Sequence, residues 1–245
     1  TCVRGKRGRP PAPRPLRRRR YNGPMPQPAF PTAHQSLLLD GPAGALEVVV
    51  DFPEPAEARP LVAVVCHPLP TEGGTMHNKV VTMVARALRE LGATTVRLNF
   101  RGTGASAGEF DDGRGEREDL RTVVDWVQDA RPGDRLWLAG FSFGAYVTLA
   151  AAADLLPDAV ISIAPPAAGR GWDFAAIPAP DVPWLVVQGD ADEIIDPQAV
   201  YAWIDGLARK PQLVRMPDTS HFFHRKLVDL RGAIQHETKA WLPPA

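Results

Sequence analysis

The chain is poor in cysteine, and this excludes two classes of protein at once. Its 245 residues hold only Cys2 and Cys66, too few for a disulfide framework. Neither stands with histidines at a metal-site spacing, so no metal or cofactor is expected. Long apolar runs are missing as well: no eighteen consecutive residues are apolar, so no segment reads as a membrane span. No Gly-x-x-x-x-Gly-Lys-Ser/Thr run occurs, so the glycine-rich stretches carry no phosphate-loop signature. Acidic residues are absent from positions 1–24, which hold nine of the 28 Lys and Arg residues. The formal net charge of zero therefore hides an asymmetry. The remainder carries 19 basic against 28 acidic residues, a net charge of about −9.

The basic arm belongs to a proline-rich stretch, with eight of the 26 prolines in residues 1–31. It has no apolar periodicity and is expected to be a disordered tail. No apolar stretch follows Arg17–Arg20, so it is not a secretory signal. One reading of such an arm is a contact with nucleic acid or an anionic surface. The plainer reading, preferred here, is a spurious or vestigial extension with Met25 as the start. The acidic body argues against a nucleic-acid partner. Two cysteines, one of them (Cys66) inside an apolar run as a small hydrophobe, fit a cytoplasmic protein.

Residues 32–245 read as one domain of alternating strands and helices. Leu37–Leu39 and Leu46–Phe52 are strands around the turn Asp40-Gly41-Pro42. Leu61–Cys66 is apolar throughout, as in a strand buried on both faces. Helices are expected over Asn78–Leu91, Glu116–Ala130, Gly144–Leu156, Gln198–Ala208 and Lys226–Leu242 from their 3.6-residue periodicity and their Gly or Pro stops. Strands fall at Thr94–Phe100, Arg135–Gly140, Ala159–Ala164, Trp184–Gly189 and Gln212–Met216. This rhythm implies an α/β class: a doubly wound, mostly parallel sheet with helices on both faces. Chemistry in such sheets gathers at the carboxyl ends of the strands.

Four strand ends carry unusual residues. Strand Arg135–Gly140 runs into Gly140-Phe141-Ser142-Phe143-Gly144, a strand–turn–helix arrangement that lifts a serine hydroxyl over a helix N-terminus. Trp184–Gly189 runs into Asp190-Ala191-Asp192, and Gln212–Met216 leads to Ser220-His221. Serine, acid, histidine is a triad order known for such folds. Ser142 needs a base to become a nucleophile. His221 can supply one near neutral pH, and a carboxylate must hold its tautomer. Asp192 is the choice for that carboxylate. Among its neighbours, Asp196 before Pro197 reads as a helix N-cap, Glu193 as solvent-facing and Asp190 as a structural acceptor of loop amides. His224 is the rival base, but it sits beside Arg225 and Lys226 at an expected surface helix start.

An acyl-transfer transition state also needs two fixed N–H donors. Phe143, the residue after the nucleophile, offers one. The second is expected from His67-Pro68-Leu69-Pro70, where Leu69 holds the one N–H between two prolines. His67 and Trp172 are expected to contact substrate, although His67-Pro68 also reads as a plain strand-ending turn. Arg101, in Arg101-Gly102-Thr103-Gly104, is expected to tie acidic loops such as Asp111-Asp112.

These segments, with Gly73–Val81, Asn99–Gly104, Gly108–Asp111, Gly113–Glu116 and Ala139–Gly144, resemble the α/β-hydrolase superfamily over residues 35 to 243. More narrowly, the chain is similar to small bacterial hydrolases of the dienelactone-hydrolase-like group that lack a lid. The resemblance implies the same serine, acid, histidine and oxyanion-hole roles. Ser142 stands where dienelactone hydrolases proper carry cysteine, which points away from their substrate. The connection from Pro165 to Pro183 is too short for a lid domain, so an open, shallow site is expected, with Trp172 and Phe174 at its mouth. The expected partner is a small-molecule ester of short or medium acyl length. Thioesters, peptides and a non-catalytic binding role are the alternatives.

Overall fold

A computed structural model describes residues 27–167 and 170–244. The arm at residues 1–26 lies outside the described residues. Eight strands form one sheet: β1 (Gln35–Gly41), β2 (Gly44–Asp51), β3 (Leu61–Cys66), β4 (Thr94–Leu98), β5 (Arg135–Phe141), β6 (Ala159–Ile163), β7 (Trp184–Gly189) and β8 (Gln212–Met216). Their spatial order is β1-β2-β4-β3-β5-β6-β7-β8. β1–β2 and β2–β4 are antiparallel, and the pairings from β4 through β8 are parallel.

Alternation along each central strand feeds two cores. Leu61, Ala63 and Val65 of β3 face a cluster built with α1 (Lys79–Glu90) and α5 (Leu227–Thr238). Val62, Val64 and Cys66 face the opposite side, covered by α2 (Arg114–Ala130) and α3 (Phe143–Leu155). α4 (Pro197–Gly206) extends that second layer over β6 and β7. Two-sided cover explains why β3 is apolar at every position: neither face meets water. Cys66 is one of these core positions, fully buried, and burial pushes its thiol pKa up. It packs as a small hydrophobe. No helix among the described residues is long and apolar enough to cross a membrane.

Several boundaries differ from the sequence expectation for local reasons. The first hairpin closes at Gly41 and Gly44, so the turn is Pro42-Ala43 and Asp40 stays in the strand. α2 starts at Arg114, two residues early, because the buried Glu116 carboxylate accepts the N–H groups of Asp111 and Gly113 and caps the helix from within. α5 stops at Thr238 and tightens into a 3-10 turn at Lys239–Trp241. The expected disordered tail through Pro31 is also too long. Gln27 exchanges two hydrogen bonds with the Asp40 main chain. The Pro28 carbonyl accepts from Trp126 Nε1 at 2.8 Å, and the Phe30 ring lies 4.7 Å from that of Trp126. Residues 27–31 are docked, because an amide that mimics backbone and one aromatic ring find partners on the folded body.

Arg101 is structural, but its partner is not the loop the sequence suggested. Its guanidinium pairs with Asp119 of α2 through Nε and Nη2, and its N–H also donates to that carboxylate. Asp111 instead accepts from Arg114.

Candidate active site

Ser142 stands between β5 and α3 with φ 53° and ψ −119°. A non-glycine residue held there is strained, and surrounding contacts must fix it. The two flanking glycines make this possible. A Cβ on Gly140 would meet the Gly144 carbonyl oxygen at 2.2 Å, and one on Gly144 would meet the Cys66 carbonyl oxygen at 2.4 Å. The strand, turn and helix are therefore packed backbone on backbone, and the serine is pushed outward. The Ser142 N–H donates to Ile163 of the neighbouring strand at 2.8 Å, which locks the turn to the sheet.

His221 comes from the loop after β8. Its Nε2 lies 3.1 Å from Ser142 Oγ, and its Nδ1 lies 2.8 Å from Asp192 Oδ2. The His221 side chain is buried, and its ring packs beside Phe141 and edge-on to Phe222. Asp192 is anchored on both oxygens. Oδ1 accepts the N–H groups of Ile194 and Ile195, while Oδ2 accepts from Gln188 Nε2 and faces the imidazole. Burial alone would raise the Asp192 pKa; the bond from His221 and the two amides outweigh it and hold the carboxyl below its ordinary value. The group is thus ionised at neutral pH. This orients Nδ1 as the donor and leaves Nε2 free to accept from the serine.

The surrounding acids divide partly as expected. Asp196 caps α4, accepting from Gln198 N with Pro197 at the first helical position. Asp190 takes the Tyr201 hydroxyl and Arg215 rather than loop amides. Glu193 is exposed as expected, and its Oε2 also accepts the main-chain N–H of His221 at 3.0 Å. That bond ties the histidine loop to the acid loop. Nothing local in Asp-Glu-Ile-Ile signals it, because the partner lies 28 residues away. His224 is exposed and outside this chain of bonds.

Leu69 lines the same cavity as Ser142, Phe143 directly follows the serine, and neither main-chain N–H has a protein acceptor among the described residues. Phe143 opens α3, so its N–H lies at the positive end of a helix. A cavity of about 150 Å³ opens over Ser142 and His221, walled by Pro68, Leu69, Trp172 and Phe222. Trp172 is at the site as expected; it stacks on Tyr146 and donates to Asp112. Phe174 is buried in the core beneath and not at the mouth.

His67 is a correction. It is fully buried and does not line the cavity. Its Nε2 accepts the Phe100 N–H at 3.0 Å and its Nδ1 meets the Pro68 carbonyl at 2.6 Å. The ring serves as a rivet between the ends of β3 and β4 and does not reach substrate. Burial, only partly offset by the Pro68 carbonyl, lowers its pKa from 6.5 to about 4. The unfolded chain then binds one more proton than the native one between pH 6.5 and about 4, so this contribution is complete above pH 6.5 and fades as pH falls through that window. The lowering corresponds to about 3 kcal/mol. Urea unfolding at pH 7 and pH 4 should show His67→Phe, though weaker at pH 7, losing less stability on acidification than the parent. Equal losses in both would disprove the buried neutral ring.

A family profile for the alpha/beta hydrolase fold matches residues 63–178. An uncharacterised protein of Rickettsia prowazekii is 30% identical over 207 residues, covering 81% of this chain and 86% of that protein. The chain belongs to the α/β-hydrolase family. Among solved structures, a Xanthomonas campestris α/β serine hydrolase without a lid is 64% identical, covers 89% of this chain and 99% of its own, and superposes with a TM-score of 0.86. An α/β serine hydrolase homologue from Coxiella burnetii is 43% identical, with 85% and 99% coverage and a TM-score of 0.81. This hydrolase shares the absent lid: among the described residues, the β6–β7 connection holds only a 3-10 turn at Phe174–Ala176.

Proposed function

We propose that this hydrolase is a serine esterase acting on short to medium acyl esters, with Ser142, His221 and Asp192 as its triad. The observation that carries the reading is the unbroken bond path from Ser142 Oγ through the His221 ring to a doubly anchored, ionised Asp192. His221 Nε2 takes the hydroxyl proton as Oγ bonds to the ester carbonyl carbon. The carbonyl oxygen becomes an oxyanion, for which the N–H groups of Leu69 and Phe143 are the donors. When the carbonyl re-forms, the carbon–alkoxy bond breaks and the imidazolium returns its proton to the leaving alcohol. Water then gives a proton to His221 and adds to the acyl carbon. Collapse releases the acid, and Oγ recovers its proton.

The small cavity and absent lid set the substrate range. A volume of about 150 Å³ is below the roughly 300–1,000 Å³ of pockets that enclose drug-sized ligands. A long acyl chain would leave its distal methylenes in water and gain nothing from burial. On p-nitrophenyl esters, kcat/KM should reach its full value at acyl chains of about two to six carbons and rise no further toward laurate. A maximum at laurate or beyond would exclude the short-acyl reading. Absence of hydrolysis of every ester in the series above the Ser142→Ala background would exclude the esterase reading.

A further inference from the structure

Glu72 and Arg170 contribute the Asp/Glu and Lys/Arg side chains of the cavity wall, one of each sign. Glu72 lies in the 3-10 turn Pro70–Glu72 that follows Leu69. Arg170 belongs to the short connection that stands where a lid would be inserted. Separated by 98 residues, they meet with Arg170 Nη1 2.7 Å from Glu72 Oε1. Their side chains are 31% and 54% exposed, so the pair is a rim contact worth little to stability. Nothing in the fold requires a charge at either position. What the pair does is cancel two charges on the wall of a cavity whose other lining side chains, among them Pro68, Leu69, Asn78, Trp172 and Phe222, carry none.

We propose that Glu72 and Arg170 form a charge filter that selects esters with uncharged acyl chains. This rests on the esterase reading of the same cleft. A substrate carboxylate would meet Glu72, already paired to the cation it needs. A substrate ammonium would meet Arg170 while its own counter-charge is occupied. Either must open the pair, whereas a neutral chain passes both. Removing one partner leaves the other as an uncompensated charge at the rim, so each deletion should open the site to substrates of opposite sign.

The test is the rate of Ser142 labelling by fluorophosphonates with a neutral, a carboxylate-bearing or a trimethylammonium-bearing tail. Labelling does not depend on which ester is the substrate. Within each protein the readout is the ratio of charged-probe to neutral-probe rate. Glu72→Gln should raise the anionic ratio about tenfold, and Arg170→Gln the cationic ratio about tenfold, the scale for one unit charge across a half-exposed cleft. Both gains should shrink in molar salt. The exchanged pair, Glu72→Arg with Arg170→Glu, should restore the parent's preference for the neutral probe. Equal changes for all three probes, or salt-independent ones, would make the pair a structural strap and overturn the filter. Failure of every probe to label Ser142 in the parent would overturn the nucleophile assignment, and the filter with it.

Discussion

Asp192→Asn should lower kcat by about four orders of magnitude with little change in the fold. The argument lies in the bonds around the carboxylate. Ile194 and Ile195 both donate to Oδ1, so an asparagine at 192 must turn its oxygen to that side. Its NH2 then faces His221 Nδ1. Two donors cannot meet, so the imidazole proton moves to Nε2, where it points at Ser142 Oγ. The base that should accept the serine proton now offers one instead. Gln188 can turn its Oε1, which has no protein partner among the described residues, toward the new NH2, at the cost of the bond its Nε2 now makes to the Gly189 carbonyl. Ser142→Ala should be harsher, at about six orders, because the nucleophile itself is gone. Steady-state ester hydrolysis and thermal unfolding on the same samples would check both. An Asp192→Asn variant within tenfold of the parent would mean that another group orients His221.

The largest stability loss outside the core is expected at Asp119. Its side chain is 1% exposed and that of Arg101 is 11% exposed. Asp119 accepts from the Arg101 main chain and from two guanidinium nitrogens. Asp119→Ala leaves a largely buried guanidinium whose remaining partner, Glu118, is exposed and 3.4 Å away. Breaking one side of such a pair costs about 3–5 kcal/mol, a large share of a typical domain's stability. The double change Arg101→Met with Asp119→Leu should recover most of the loss, because no unpaired charge remains. Denaturant unfolding of the two single variants and the double variant decides the matter. A cost below 1 kcal/mol for Asp119→Ala would show that the pair is already solvated.

The parts of this molecule that were legible in its sequence are those written in short-range patterns. β3 is apolar on both faces because both are covered, and its composition alone says so. Gly140 and Gly144 flank Ser142 because backbone must touch backbone there, so the turn is recognisable from five letters. Asp192 could be ranked above its neighbours because Asp196-Pro197 announces a helix cap. What the sequence hid depends on partners distant in the chain. His67 resembles a site residue by position, yet Phe100, 33 residues on, takes its ring nitrogen. Glu193 is exposed as its neighbours suggest, but its bond to the His221 main chain was not readable. Gln27–Pro31 shares the proline richness of the arm before it, and only β1 and Trp126 reveal that it docks. Arg101 was readable as structural, but choosing Asp119 over Asp111 required knowing how α2 packs.

The measurement that bears most directly on the proposed chemistry is a mapped fluorophosphonate adduct, with labelling rates compared between the parent and His221→Ala. One covalent adduct per chain on the peptide containing Ser142, formed at least about a thousandfold more slowly without the imidazole, is the outcome expected of a serine activated by that base. An adduct on any other residue, or a labelling rate in His221→Ala equal to the parent's, would contradict it.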